Sequence, residues 1–273
     1  MKSNNPPKRH HYVQESYQKW FRSDNDELFV LDKQYKTIRK KAPSQICYID
    51  DLHTISLNNE KIHDIEIFYR DIESQIVEFF KFIEREVATN VDVFLETLKL
   101  EDFNKMLRVF IAFMFWRNPS QKNLAKEYAE KLLDLYDASH DEVKKILFWD
   151  RNLIKFLHRK REKENYIKII QYVILPLVTF KIFDERRIVL YYGKKFGEFI
   201  SCDNPVVNFG SINELLNFEK FVFPLNNKIT LSDNNEFIKT YNVNEINIFI
   251  AKNSKKYIFG SSRELLTKIQ NQL

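Results

Sequence analysis

The spacing of the apolar residues changes once along this chain, near residue 186, and that change limits the fold more than any other feature. Ahead of it, Ile65, Phe68, Tyr69, Ile72, Ile76, Phe79, Phe80, Ile83 and Val87 recur with a 3.6-residue period and charges on the opposite face. That pattern is an amphipathic helix over about 65–88. A second helix is expected over about 91–116, stopping at Arg117-Asn118-Pro119, because the residue before a proline resists the helical conformation. Helices over about 121–137, 141–159 and 164–183 follow. Behind the change, RIVLYYG, GEFISCD, FVFPLNN, INIFIAKN and KYIFG are short, β-branched or aromatic, and separated by turn residues. They read as strands of an antiparallel sheet. The final stretch SSRELLTKIQNQL opens on serines and reads as a short terminal helix.

The N-terminal part adds a short helix within residues 11–21 and a β-hairpin in ELFVLDKQYKTIRKKA, with Leu28–Leu31 and Tyr35–Ile38 as its arms. Pro43 and Ser44 break it, and ICYID is a further short strand. The fold class is therefore α+β: an N-terminal β-hairpin, a central helical bundle, and a C-terminal antiparallel sheet with a short terminal helix. We read residues 1–273 as a single domain in three segments, 1–60, 61–185 and 186–273. No internal repeat or low-complexity linker divides them.

Several function classes are excluded by what is scarce. Four glycines in 273 residues leave no room for a dinucleotide fingerprint or a P-loop. The zinc-protease helix, the paired-cysteine motif, the nucleophile elbow and the calcium loop are absent as well. Cys47 and Cys202 are far apart and read as free thiols of a reducing compartment. The opening MKSNNPPKRHHYV is polar and basic with no apolar segment behind it. The longest apolar run, residues 169–180, is flanked by lysines and too short to span a bilayer. A cytoplasmic protein with no membrane partner is the expectation. The net charge of +5 and pI near 8.9 reflect a Lys-, Asn- and Ile-rich composition, or else attraction to a polyanion through Arg39-Lys40-Lys41 and His158-Arg159-Lys160-Arg161.

Three stretches carry residue types suited to chemistry. Arg9-His10-His11-Tyr12-Val13 sets a histidine beside basic residues, as a general acid or base or a phosphate contact would need. It serves equally as a surface histidine ahead of a helix. Adjacent histidines point in different directions, so His10 and His11 do not make a metal site by themselves. Ser201-Cys202-Asp203-Asn204-Pro205 follows an apolar strand. It is either a tight turn held by its own side chains or a strand end presenting a carboxylate and an amide to a cleft. Arg117 follows the apolar FIAFMFW. It suits bidentate binding of a phosphate or carboxylate, or a helix C-terminal cation.

These stretches also resemble the pattern of a widespread bacterial family classed only as a domain of unknown function. Its His-Tyr-Val-Pro motif is matched by His11-Tyr12-Val13, with Gln14 in place of proline, and the aromatic segment ends at Trp20-Phe21. LFVLDK (28–33), Ile72-Glu73 and Arg117-Asn118-Pro119 follow in order. The Ser-Asp-Asn-Pro-Val signature is matched by Ser201 and Asp203-Asn204-Pro205-Val206 with Cys202 inserted between serine and aspartate, or with Cys202 in the serine position; Phe223-Pro224-Leu225, Asn247 and Ala251 complete the pattern. The resemblance implies no activity, but it singles out His11, Arg117, Asp203 and Asn204.

Two functions stay open on these residues. One is an enzyme, a hydrolase by class, acting on a phosphate-bearing substrate such as a nucleic acid or nucleotide. His11 would be its acid or base, Arg117 its charge stabiliser and Asn204 its positioning group, and Asp203 with Glu73 would hold a divalent cation. The other is a non-enzymatic interaction module with a protein partner, in which the same residues form a structural polar network.

Overall fold

In the computed structural model the described residues are 8–58, 60–89, 96, 100–147, 150–183, 188–192, 197–233 and 240–273. Contacts divide the chain into two compact units. A helical unit takes Met1–His10 and Ile49–Glu185, and a sheet unit takes His11–Tyr48 and Arg186–Leu273.

In the helical unit the amphipathic pattern becomes the helix Asp64–Thr89, and the apolar run ahead of Arg117 becomes the helix Glu101–Trp116. The expected start of that second helix at 91–95 and 97–99 lies outside the described residues. Its last turns, from Phe110 to Trp116, are buried on every side, as expected of a helix apolar all round. The expected helix at 121–137 is two, Lys122–Glu130 and Leu132–Asp137, parted at Lys131. The next is also two, Asp141–Leu147 and Arg151–Lys160, the latter capped by Asp150 Oδ1 accepting from Leu153 N–H at 2.9 Å. The apolar run 169–180 is buried, not spanning. Its α-turns Glu164–Ile169 and Leu175–Thr179 flank a π-helical segment, Ile170–Ile174. Pro176 has no N–H to give the preceding turn, and a wider turn relieves that loss. No helix among the described residues is long and apolar enough to cross a membrane.

The sheet unit holds two four-stranded antiparallel sheets. In one, the hairpin strands Phe29–Asp32 and Thr37–Lys40 are extended by Tyr257–Gly260 and then Ser201–Cys202. In the other, Val189–Tyr192, Ile229–Ser232, Phe221–Pro224 and Val207–Asn208 pair in that order. With glycine so scarce, non-glycine residues take the left-handed turn positions, Lys36 (φ 52°) in the hairpin loop among them.

One strand expectation fails. INIFIAKN lies in the helix Val243–Asn253. Asn242 and Glu245 form a capping box, and Val243, Ile246, Asn247, Ile250 and Ala251 fall on one buried helical face. The run is β-prone in residue type but helical in spacing, and burial of that stripe in the core with Ile200, Val222 and Ile258 decides. The terminal helix is Arg263–Gln270, capped by Ser262.

The family pattern's proline position is informative here. Gln14 precedes the short helix Glu15–Lys19 with φ −56°, the value a proline ring imposes. Its side chain is buried, and Oε1 has no hydrogen-bond partner among the described residues. Gln14→Pro is therefore expected to stabilise the protein, by about 0.4–1 kcal/mol from chain entropy alone. A chemical denaturation curve checks this, and a lower midpoint would show that the Gln14 amide is needed.

Candidate functional site

The sheet unit contains three of the four residues singled out by sequence. His11 Nδ1 lies 3.4 Å from Glu15 Oε1, and its ring sits 5.7 Å from Tyr48. Asp203 accepts two backbone N–H bonds, from Lys255 to Oδ1 at 2.9 Å and from Lys256 to Oδ2 at 2.7 Å. Its own N–H donates to Tyr257 O. Asn204 and Asn253 exchange side-chain–backbone bonds, and Asn253 also donates to Val206 O at 3.1 Å. Lys33 Nζ donates to Ala251 O and Ser254 O, at the C-terminus of the helix Val243–Asn253, where a cation suits the exposed carbonyls. Asn247 links that helix to the neighbouring strand by accepting from Ile200 N–H (3.0 Å) and donating to Glu198 O (2.9 Å). Tyr17 O–H donates to Pro224 O and meets Ser201 Oγ, both at 2.7 Å. Asp203, Asn204 and Lys33 thus hold backbone in place around one turn, residues 253–257.

The helical unit gathers a different set. The helix Asp64–Thr89 presents Glu66, Tyr69 and Glu73 at i, i+3 and i+7, one face of a 3.6-residue helix. Arg117, at the end of the helix Glu101–Trp116, donates from Nη1 to Glu73 Oε1, and its guanidinium carbon lies 4.2 Å from the centre of the Tyr69 ring. Arg117 is 1% exposed, and its Nε has no partner among the described residues. Burial works against its charge, but the Glu73 and Glu66 carboxylates outweigh that and raise its pKa. The π-helical segment fixes the surroundings. Gln171 donates to Trp116 O and Asn118 O, and Tyr172 O accepts from Tyr69 O–H at 2.9 Å. Of the two carboxylates expected to share a cation, Glu73 is thus paired with Arg117, and Asp203 with amides.

Sequence reasoning missed the remaining members, His10, His53 and Glu66. His10 and His11 part company as strand neighbours do: His10 belongs to the helical unit and His11 to the sheet unit. His53, in the turn before Ile55–Leu57, and His10 are both fully buried. His53 Nδ1 lies 2.7 Å from Glu66 Oε2. His53 backbone N–H donates to His10 Nδ1 at 2.9 Å, and His10 Nδ1 lies 3.8 Å from Glu66 Oε2. Burial brings His53 down to about 3, against the Glu66 hydrogen bond, so its ring is neutral at neutral pH. Burial resists the Glu66 charge, but the His53 bond and the Arg117 charge bring Glu66 down to about 2. A neutral imidazole beside an ionised carboxylate donates its Nδ1 proton to it, which leaves Nε2 unprotonated. That Nε2 is buried without a hydrogen-bond partner among the described residues. One ligand atom each from His10, His53 and Glu66 lies within 4.8 Å of the other two.

No curated protein and no solved structure matches this chain. The pattern of the family described as Protein of unknown function (DUF4238) matches residues 9–264, from the strand that carries His10 to the terminal helix, and the chain belongs to that family.

Proposed function

We propose that the protein is a cation-dependent enzyme acting on a phosphate-bearing substrate, with its centre in the helical unit at His10, His53 and Glu66. The observation that carries this reading is the convergence of two fully buried imidazoles and one carboxylate from three separate segments. Two nitrogens and one oxygen form the donor set of a zinc-class ion with an open fourth position. At bond lengths near 2.0–2.1 Å, tetrahedral ligand atoms stand about 3.3 Å apart, and the distances of 2.7 and 3.8 Å from Glu66 Oε2 straddle that value. Binding exchanges the bonds His53 Nδ1–H to Glu66 and His53 N–H to His10 for ligand bonds. The Nδ1 proton passes to Nε2, so the ring stays neutral. Such an ion supplies Lewis-acid chemistry to a phosphate ester. Glu66 at the rim, 18% exposed, is the solvent-facing member.

The structural-network reading is supported for Asp203 and Asn204 by the backbone bonds around residues 253–257, which account for both Asp203 oxygens. We therefore assign the chemistry to the helical unit and the bracing to the sheet unit.

The test is metal content of the purified chain, and its melting temperature with zinc or manganese. Wild type is expected to retain close to one ion and to melt higher with it, by about 2.7 kcal/mol of stabilisation at a hundredfold excess over the dissociation constant. His53→Ala and Glu66→Gln are expected to lose the ion and the shift, together with turnover of nucleotides and short nucleic acids. Retention of the ion by both variants would sink the assignment.

A further inference from the structure

We propose that Arg117 is the phosphate-binding residue of this centre and that Glu73 occupies its anion position while no substrate is bound. The assignment rests on the reading above for its substrate class, but its geometry is separate from the metal ligands. Arg117 is buried, its guanidinium carbon lies over the Tyr69 ring at 4.2 Å from its centre, and its backbone is fixed by N–H donation to Phe113 O at 2.8 Å. Stacking on a phenol orients the planar fork without using its N–H groups. A structural arginine in a dry site pairs its donors, because each orphaned donor is costly. Here Nη1 is paired, and buried Nε has no partner among the described residues. The guanidinium is therefore only part-filled, and Glu73, on its Nη1 side, is the partner that an anion can exchange with.

Glu73 is the mobile half of the pair. Its side chain is 28% exposed against 2% for that of Arg117, so its carboxylate can turn into water at little cost while the arginine cannot. Ionised phosphate presents two oxygens to a guanidinium fork in the same geometry as a carboxylate, with more charge. Glu73 thus marks where the phosphate oxygens go. It also explains why an empty site tolerates a buried cation. The carboxylates of Glu73 and Glu66 both act on this one arginine, and an anion enters only when Glu73 leaves. Tyr69, whose O–H is tied to Tyr172 O, stays as the fixed platform.

The experiment is titration of the full chain with inorganic phosphate, and in parallel with acetate, by calorimetry. The proteins are wild type, Glu73→Gln, Glu73→Asp and Glu73→Gln/Arg117→Lys, and the metal content of each sample is measured alongside. Glutamine keeps the shape and one acceptor but not the charge, so Glu73→Gln is expected to bind phosphate about tenfold tighter or more than wild type. Glu73→Asp withdraws the carboxylate by one methylene and is expected to fall between them, which keeps the test sharp if the glutamine variant folds poorly. Adding Arg117→Lys is expected to abolish the gain, because lysine cannot offer the planar fork. An unchanged affinity in both Glu73 variants, or a gain that survives Arg117→Lys, overturns the proposal. An equal gain for acetate overturns the phosphate assignment. Loss of the metal reading would appear as absent ion with phosphate binding intact, so the two readings fail separately.

Discussion

Glu73→Ala is expected to destabilise the helical unit by about 3–5 kcal/mol, because it leaves a buried charge without its partner. Arg117 is 1% exposed and its one charged hydrogen bond goes to Glu73. Truncation leaves the guanidinium without its hydrogen-bonded carboxylate, with Glu66 as the remaining opposite charge and little water. Urea unfolding followed by tryptophan fluorescence measures the loss, and a cost under about 1 kcal/mol would mean that water already reaches the arginine. The double variant Arg117→Met/Glu73→Leu separates charge from packing. Removing both partners for apolar groups of similar size is expected to recover most of the loss, since a buried pair and a matched apolar pair differ little in stability. Failure to recover would place the cost in the packing on Tyr69. Phosphate added to Glu73→Ala is expected to restore stability in proportion to its binding.

The second large effect belongs to Asp203→Ala in the sheet unit. Two backbone N–H groups, of Lys255 and Lys256, lose their acceptor at once, which is worth about 2–4 kcal/mol. Asp203→Asn keeps the shape but turns an NH2 toward one of the two amides, so an intermediate loss is expected. The carboxyl also titrates in a defined direction. Burial raises Asp203 above the ordinary carboxylate range, with the amides opposing. The folded chain therefore holds this proton at pH values where the unfolded chain has released it, and its contribution to stability grows as pH falls through that window and is lost as pH rises. Measured against Asp203→Asn, wild type is expected to gain stability as pH falls toward the ordinary aspartate range. A relative loss over that range would mean that the amides outweigh burial.

The hydrogen bonds of the two units bear differently on the two functions left open by the sequence. Ser201, Asp203 and Asn204 read equally well as a site or as scaffolding, and the partners of the last two are mostly main-chain groups of one turn and one helix end. Arg117 and Glu73 read less strongly, yet they stand beside the histidine–carboxylate group. Motif strength tracked how many backbone groups a side chain holds, which is a folding demand as readily as a catalytic one.

Periodicity by itself determined the helices Asp64–Thr89 and Glu101–Trp116, the N-terminal hairpin, C-terminal strands and the terminal helix, because burying one face forces a spacing that the chain writes locally, but not that two of those strands join the hairpin's sheet. It misassigned Val243–Asn253 because residue type and spacing disagreed there, and only packing against the sheet could favour spacing. It named Arg117, Asp203 and Asn204, since each sits next to a proline or helix end that marks a special backbone. His10, His53 and Glu66 left no such mark. Forty-three residues separate the two histidines that share a hydrogen bond, and no local interaction relates them. Their meeting is decided by the tertiary fold, which brings an N-terminal strand, a turn and the first turn of a helix to one buried point, where the exclusion of water makes each hydrogen bond and charge count.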